Sequence, residues 1–222
     1  MKDPDAFLQI QAICAERLEK HRRDNALQVR LDVPYFSQWG PGADVRRGDC
    51  GPACVSMIAA YKVGTPVSVD RMADYCGQPS AGVGSQYTGH ANLRKGALAC
   101  GVSLKTVSPA GAGLGLKPYL IDLHLYNGNP VIALIHYGVL RDELNHYSPD
   151  EYTYNQDVNY DRGHWCLVVG YGDDFYLIHD PDFWGNRTLE GAWRKVPRLA
   201  FDEALRSVAP GCTMGHQGLV IE

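Results

Sequence analysis

Three short stretches hold the side chains with chemistry to offer. Asp49-Cys50-Gly51-Pro52-Ala53-Cys54 places a thiol at the foot of a helical pattern. Gly163-His164-Trp165 sets a histidine at the start of an apolar run, and His179-Asp180-Pro181 closes the next one. Free backbone N–H groups and the macrodipole at a helix N-terminus favour a thiolate, which is the nucleophilic form of cysteine. Position alone makes Cys50 a candidate for covalent catalysis, although the same stretch would also suit a buried structural cysteine. Acyl transfer at a thiol needs a general base, a group that orients the base, and donors for the oxyanion. His164 fits the base and Asp180 the orienting carboxylate. Gln38, upstream of the thiol, would offer its amide N–H to the oxyanion beside the Cys50 backbone N–H. Each has an ordinary alternative: a histidine at a strand start is commonly a surface or core residue, Asp before Pro is turn chemistry, and Gln38 would pass for a loop amide. The reading rests on their joint arrangement.

The elements that must position these residues follow from spacing. The central helix is expected from about Gly51 to Tyr61, with Pro52 in its first turn and Cys54, Val55, Ile58 and Tyr61 on its buried stripe. Gly64-Thr65-Pro66 ends it. A short helix over Val69–Cys76 follows, with Ser68 as cap, then one opened by Thr88 or Asn92 and stopped by Gly101, and one from Lys117 to Tyr126. Before the thiol, Val29–Val33 alternates as a strand, and residues 5–23 carry a helical stripe of Phe7, Ile10, Cys14 and Leu18. Strands are expected at Val102–Val107, at the continuous apolar run Val131–Ile135, at Trp165–Tyr171 and at Phe175–His179, the last two joined by a turn at Asp173-Asp174. Trp193–Val196, a helix from Phe201 to Val208 and a strand Gly218–Ile221 complete the chain. Residues 137–162 hold five tyrosines and no periodicity, and Tyr147, Tyr152, Tyr154 and Tyr160 are candidates to wall a substrate groove. Helices come first and an antiparallel sheet second, which is an α+β domain over 29–222 preceded by a helical arm at 1–28, itself a candidate docking element.

Composition removes other classes. The 222 residues are 45% hydrophobic and 21% charged, with a net charge of −4 and no Lys/Arg cluster, so no nucleic-acid footprint is expected. No apolar run is long enough to span a bilayer, and the N-terminus lacks a signal's basic and apolar regions, so a cytoplasmic location is expected. The seven cysteines (14, 50, 54, 76, 100, 166 and 212) are odd in number and scattered, as in a reduced chain. There is no C-x-x-C or H-x-x-x-H pair to suggest zinc, and thiol chemistry of this kind needs no metal or cofactor.

The motifs carry a resemblance. Val33-Pro34-Tyr35-Phe36-Ser37-Gln38, then Asp49-Cys50-Gly51-Pro52-Ala53-Cys54, then Gly163-His164-Trp165-Cys166-Leu167-Val168-Val169-Gly170-Tyr171 and His179-Asp180-Pro181 resemble peptidase family 39. This is the papain-like cysteine peptidase family of the bacteriocin-processing, double-glycine-leader enzymes and their stand-alone relatives. Gly64-Thr65-Pro66-Val67-Ser68 and Asn129-Pro130-Val131-Ile132 resemble the family's turn after the catalytic helix and its strand before the histidine, so the likeness covers roughly residues 30–185. It implies a papain-like fold, with N-terminal helices packed against an antiparallel β-sheet. It implies Cys50 as nucleophile, His164 as base and then acid, Asp180 as orienter and Gln38 in the oxyanion hole. The Gly- and Arg-rich stretch Gly40 to Gly48 makes the Gln38–Cys50 interval longer than the family's usual one. With no membrane span and no Walker-type loop, the chain corresponds to the stand-alone form rather than to the transporter-fused one. The expected substrate is a peptide or a peptidoglycan-like peptide. The alternatives are a non-catalytic binding or assembly module, as in a phage or secretion particle, and a cell-wall amidase or transpeptidase using the same thioester.

Overall fold

Two apolar runs organise the sheet. Strands β3 (Val131–His136) and β4 (Gly163–Tyr171) are buried along nearly their whole length and pair antiparallel from Val131 opposite Val168 to His136 opposite Gly163. The computed structural model describes residues 29–39, 48–78, 88–109, 115–147, 161–183, 185–208 and 212–222. The helix expected at 5–23, and Tyr152, Tyr154 and Tyr160, lie outside them. Around β3 and β4 stand β2 (Leu104–Val107), β5 (Phe175–His179), β6 (Arg194–Pro197) and β7 (Gln217–Ile221), in the order β2, β7, β3, β4, β5, β6. Every pairing is antiparallel. The two-residue β1 (Val29–Arg30) pairs with Gly170 and Tyr171 of β4, just past the point where β3 stops. Gly170 permits this approach, because a Cβ there would strike the Val29 carbonyl oxygen.

The expected strand over Val29–Val33 is shorter in the structure. Val33 N–H turns back onto the Leu31 carbonyl at 2.7 Å, which takes the chain off the sheet and toward the site.

Six helices surround the sheet among the described residues. Helix α1 (Cys50–Val63) is buried without interruption from Cys50 to Ala59, so it is a core helix rather than an amphipathic one. It ends at Gly64, whose φ of 73° lets its N–H close onto the Ala60 carbonyl. Helix α2 (Val69–Cys76) starts on the Ser68 cap, whose hydroxyl accepts from Arg71 N–H. Helices α3 (His90–Ala99) and α4 (Pro118–Tyr126) follow, and α6 (Arg198–Arg206) connects β6 toward β7. Helix α5 (Tyr137–Tyr147) occupies part of the stretch in which no periodicity was legible. It begins directly at the end of β3 and buries Tyr137 and Leu140; Tyr137, Leu140, Leu144 and Tyr147 stand at helical spacing in its sequence, a short stripe followed by the polar remainder of 148–162. None of the described helices is long and apolar enough to cross a membrane.

Candidate active site

The thiol sits where the helix pattern places it. Cys50 is the first residue of α1, and Gly48 at φ 113° supplies the backbone turn into that helix. Both Cys50 and Asp49 are buried. Gly51 lets the start of α1 press against α3 and β4, since a Cβ there would lie 2.7 Å from Leu93 Cδ2 and 3.1 Å from Trp165 Cδ1.

Sheet register brings the histidine and the aspartate together. Leu167 pairs with His179, so Asp180, one residue on, falls on the same face as Cys166 and His164 and diagonal to the latter. His164 Nε2 and Asp180 Oδ1 are 2.8 Å apart, both side chains almost fully buried. Cys50 lies near enough to add to the influences on the His164 charge, and Asp180 takes Nε2 of the ring. The edge of Tyr137 packs on the imidazole at 4.9 Å between ring centroids.

Asp180 is satisfied on every side. Oδ1 also accepts from Asp182 N–H at 3.1 Å, while Oδ2 accepts from Arg194 Nη1 at 2.8 Å and from Tyr137 O–H at 3.3 Å. Its backbone is held by Gly191 O and by Tyr35 O–H. Burial would raise the Asp180 pKa, but the charge and hydrogen bond of His164, then Arg194 and the Asp182 N–H, outweigh it and hold the carboxyl at about 2. Burial would likewise depress His164; Asp180, with Cys50 adding, prevails and raises it well above its ordinary value. Asp180 and Arg194 thus form a buried ion pair that keeps the carboxylate charged where it orients the ring.

Gln38 is laced to the same turn. Its N–H donates to Pro181 O at 2.9 Å, and Ser37 Oγ donates to Phe183 O at 2.5 Å, so residues 35–38 run along 180–183. The Gln38 side chain is 7% exposed, and its Nε2 donates to Asp182 Oδ1 at 2.7 Å. Trp39 Nε1 donates to the same oxygen at 2.7 Å. Asp182 is pushed up to about 7 by burial, with Asp180 adding and with His164 and the Trp39 hydrogen bond opposing.

The structure therefore joins His164, Asp180, Asp182 and Gln38 in one hydrogen-bonded group, with Cys50 near enough to His164 to act on its charge. Asp182, Arg194 and Tyr137 join the site without belonging to the motifs that mark it in the sequence. The repeated carboxylate in Asp180-Pro181-Asp182 was a signal for the first; the other two arrive from β6 and α5 with no local pattern. Cys54 is a packing residue, fully buried, with its thiol pushed up by burial and by Cys166 and Cys50. His179 both packs and hydrogen-bonds. Its Nε2–H donates to Val33 O at 2.9 Å and its Nδ1 accepts from Trp193 N–H at 3.1 Å, between the rings of Tyr35 and Trp193. His136 meets Asp161 at 3.4 Å, and His90 packs edge-on against Trp165. Among the described residues, no group of three or more His, Cys, Asp or Glu could hold a metal ion.

A thiol at a helix N-terminus set against a histidine and an aspartate from an antiparallel sheet defines the papain-like architecture of cysteine peptidases. The model of the Peptidase_C39-like family matches residues 30–203, and the chain belongs to that family. A comparison with curated proteins found no match. Among solved structures, a protein assigned as a C39-like peptidase from Bacillus anthracis is similar in fold, with a TM-score of 0.55 at 20% identity, over 88% of this chain and 98% of that one. The peptidase domain of Streptococcus ComA, a bifunctional transporter of a quorum-sensing pathway, matches at a TM-score of 0.48 and 15% identity, over 82% and 94%. A double-glycine-motif protease from an AMS/PCAT transporter, solved with its leader peptide, matches at 0.49 and 16%, over 88% and 98%.

Proposed function

We propose that this chain is a cysteine peptidase that hydrolyses a peptide or amide bond through a thioester on Cys50. The observation that carries the reading is the buried His164–Asp180 hydrogen bond through Nε2, with Cys50 at the start of its helix near the imidazole, so that the other ring nitrogen serves the thiol. His164 takes the Cys50 proton as Sγ attacks the carbonyl carbon, and the oxyanion is held by the Cys50 N–H and the Gln38 amide. His164 then returns the proton to the leaving amine, and water attacks the thioester with His164 as base, freeing the carboxylic acid. Asp180, clamped by Arg194 and Tyr137, keeps Nδ1 aimed at the sulfur throughout. The substrate class is a peptide or a peptidoglycan-like peptide.

Treatment with iodoacetamide at pH 6, followed by mapping of the modified cysteine, tests the pair. Preferential labelling of Cys50 that disappears in His164→Ala supports it. Slow, uniform labelling of several thiols would instead mark a binding module that kept the fold. Digests of peptide libraries and peptidoglycan then identify the bond cleaved.

A further inference from the structure

A primary amide used as an oxyanion donor has a built-in ambiguity. Its oxygen and nitrogen ends are nearly the same shape, and a half-turn of the terminal group replaces an N–H donor with a carbonyl oxygen that repels the developing charge. Something must choose between the two. At Gln38 the main chain is tied to Pro181, but the side chain has a different anchor. Nε2 donates to Asp182 Oδ1 at 2.7 Å, and the buried Oε1 has no hydrogen-bond partner. We propose that Asp182 is the positioning residue of the oxyanion hole, its acceptor oxygen fixing the Gln38 amide with the nitrogen end, and hence its second N–H, presented to substrate. The proposal rests on the reading that Gln38 is an oxyanion donor.

The geometry supports selection rather than simple packing. Oδ1 receives two N–H groups, Gln38 Nε2 and Trp39 Nε1, each at 2.7 Å, so it acts there purely as an acceptor. A flipped Gln38 would set its carbonyl oxygen against that oxygen at the same separation, lose a hydrogen bond and bury an unpaired N–H₂. The choice holds in both protonation states of Asp182, because a proton taken up near neutral pH goes to Oδ2, which has no hydrogen-bond partner, and leaves Oδ1 accepting. Asp182 is itself fixed: its N–H donates to Asp180 Oδ1, the oxygen that meets His164. One turn, Asp180-Pro181-Asp182, therefore sets both the imidazole and the oxyanion amide.

The test separates acylation from thiol reactivity. p-Nitrophenyl acetate acylates Cys50: the C–S bond forms, the ester C–O bond breaks, the thiol proton passes to His164 and p-nitrophenolate leaves. That step uses the oxyanion hole, whereas alkylation by iodoacetamide forms no oxyanion. The readout is the ratio of the p-nitrophenolate burst rate to the iodoacetamide rate, measured on the full chain, with each variant's melting temperature. Gln38→Ala and Asp182→Ala are each expected to lower the ratio about 100-fold, the scale of losing one such donor. The double variant is expected to fall no further than Gln38→Ala alone. Asp182→Asn, which still offers Oδ1 to both N–H groups, is expected to stay within several-fold of the parent. Asp182→Leu, similar in shape but without an acceptor, replaces Asp182→Ala if that variant does not fold. An unchanged ratio in Asp182→Ala or Asp182→Leu while Gln38→Ala falls overturns the proposal, as do additive losses or an Asn variant as impaired as Ala. An unchanged ratio in Gln38→Ala removes Gln38 from the oxyanion hole and the proposal with it. No Cys50 acylation in the parent chain is the separate failure of the peptidase reading.

Discussion

Acidification is expected to pull in opposite directions on two buried groups that flank Asp180. His179 is fully buried as the neutral imidazole, its Nδ1 accepting from Trp193 N–H, so protonation there sets two donors against each other. Desolvation, with the nearby Arg30 charge adding and hydrogen bonds to Val33 and Ile178 opposing, lowers its pKa from 6.5 to about 4. Between those values the unfolded chain binds a proton that the folded chain refuses. Stability from His179 is therefore complete above pH 6.5 and lost as pH falls toward 4, by about 3 kcal/mol at 1.36 kcal/mol per pH unit. Asp182 has the reverse sign. Raised from 3.8 to about 7 by burial and by the Asp180 charge, against His164 and Trp39, it holds its proton in the folded chain where the unfolded chain has released it. Its contribution is complete below pH 3.8 and lost as pH rises through 7, by about 4 kcal/mol. Urea denaturation from pH 4 to 7.5 at fixed ionic strength, on the parent, His179→Gln and Asp182→Asn, reads both contributions as differences. Relative to the parent, His179→Gln is expected to lose about 3 kcal/mol as pH rises from 4 to 7, and Asp182→Asn to gain about 4 kcal/mol. Variant curves that run parallel to the parent's would refute the assignment of these charge states, and slopes of the same sign would refute the reasoning for at least one.

Three further outcomes follow from the packing of the site. Asp180→Asn is expected to cost about 3–5 kcal/mol, because it removes the carboxylate charge paired with the buried Arg194 guanidinium, and to slow acylation of Cys50 by roughly 10⁴-fold through loss of the imidazole's orientation; denaturation and burst kinetics check the two parts. Gly51→Ala is expected to lower stability by about 1–3 kcal/mol, since the added methyl meets Leu93 and Trp165, and calorimetry measures it. Gly170→Ala is expected to detach β1 from β4, read as loss of exchange protection at the Leu31 amide, which donates to Val169 O at 2.8 Å.

Much of this molecule was legible in one dimension because local physics repeats. Ser68 caps a helix, Gly64 and Gly101 stop helices with positive φ, and a continuous apolar run such as Val131–Ile135 has few homes other than a buried strand. The same rules put Cys50 at a helix start and His164 and Asp180 at adjacent strand ends, so the candidate triad was readable as residue types in position. Helix α5 is marked only by a short stripe, Tyr137, Leu140, Leu144 and Tyr147, which the polar residues after it dilute across 137–162. Nor could the sequence alone decide what each site residue touches. A one-residue change of register would turn Asp180 to the opposite face of the sheet, and only the pairing of Leu167 with His179 settles that it meets His164. Arg194, Tyr137 and Asp182 enter the site because separate elements converge there, and their influence on charge depends on distances that sequence spacing does not encode. Residue chemistry and local periodicity are properties of the chain, whereas partner choice, burial and the resulting protonation states belong to the packed sheet and helices around it.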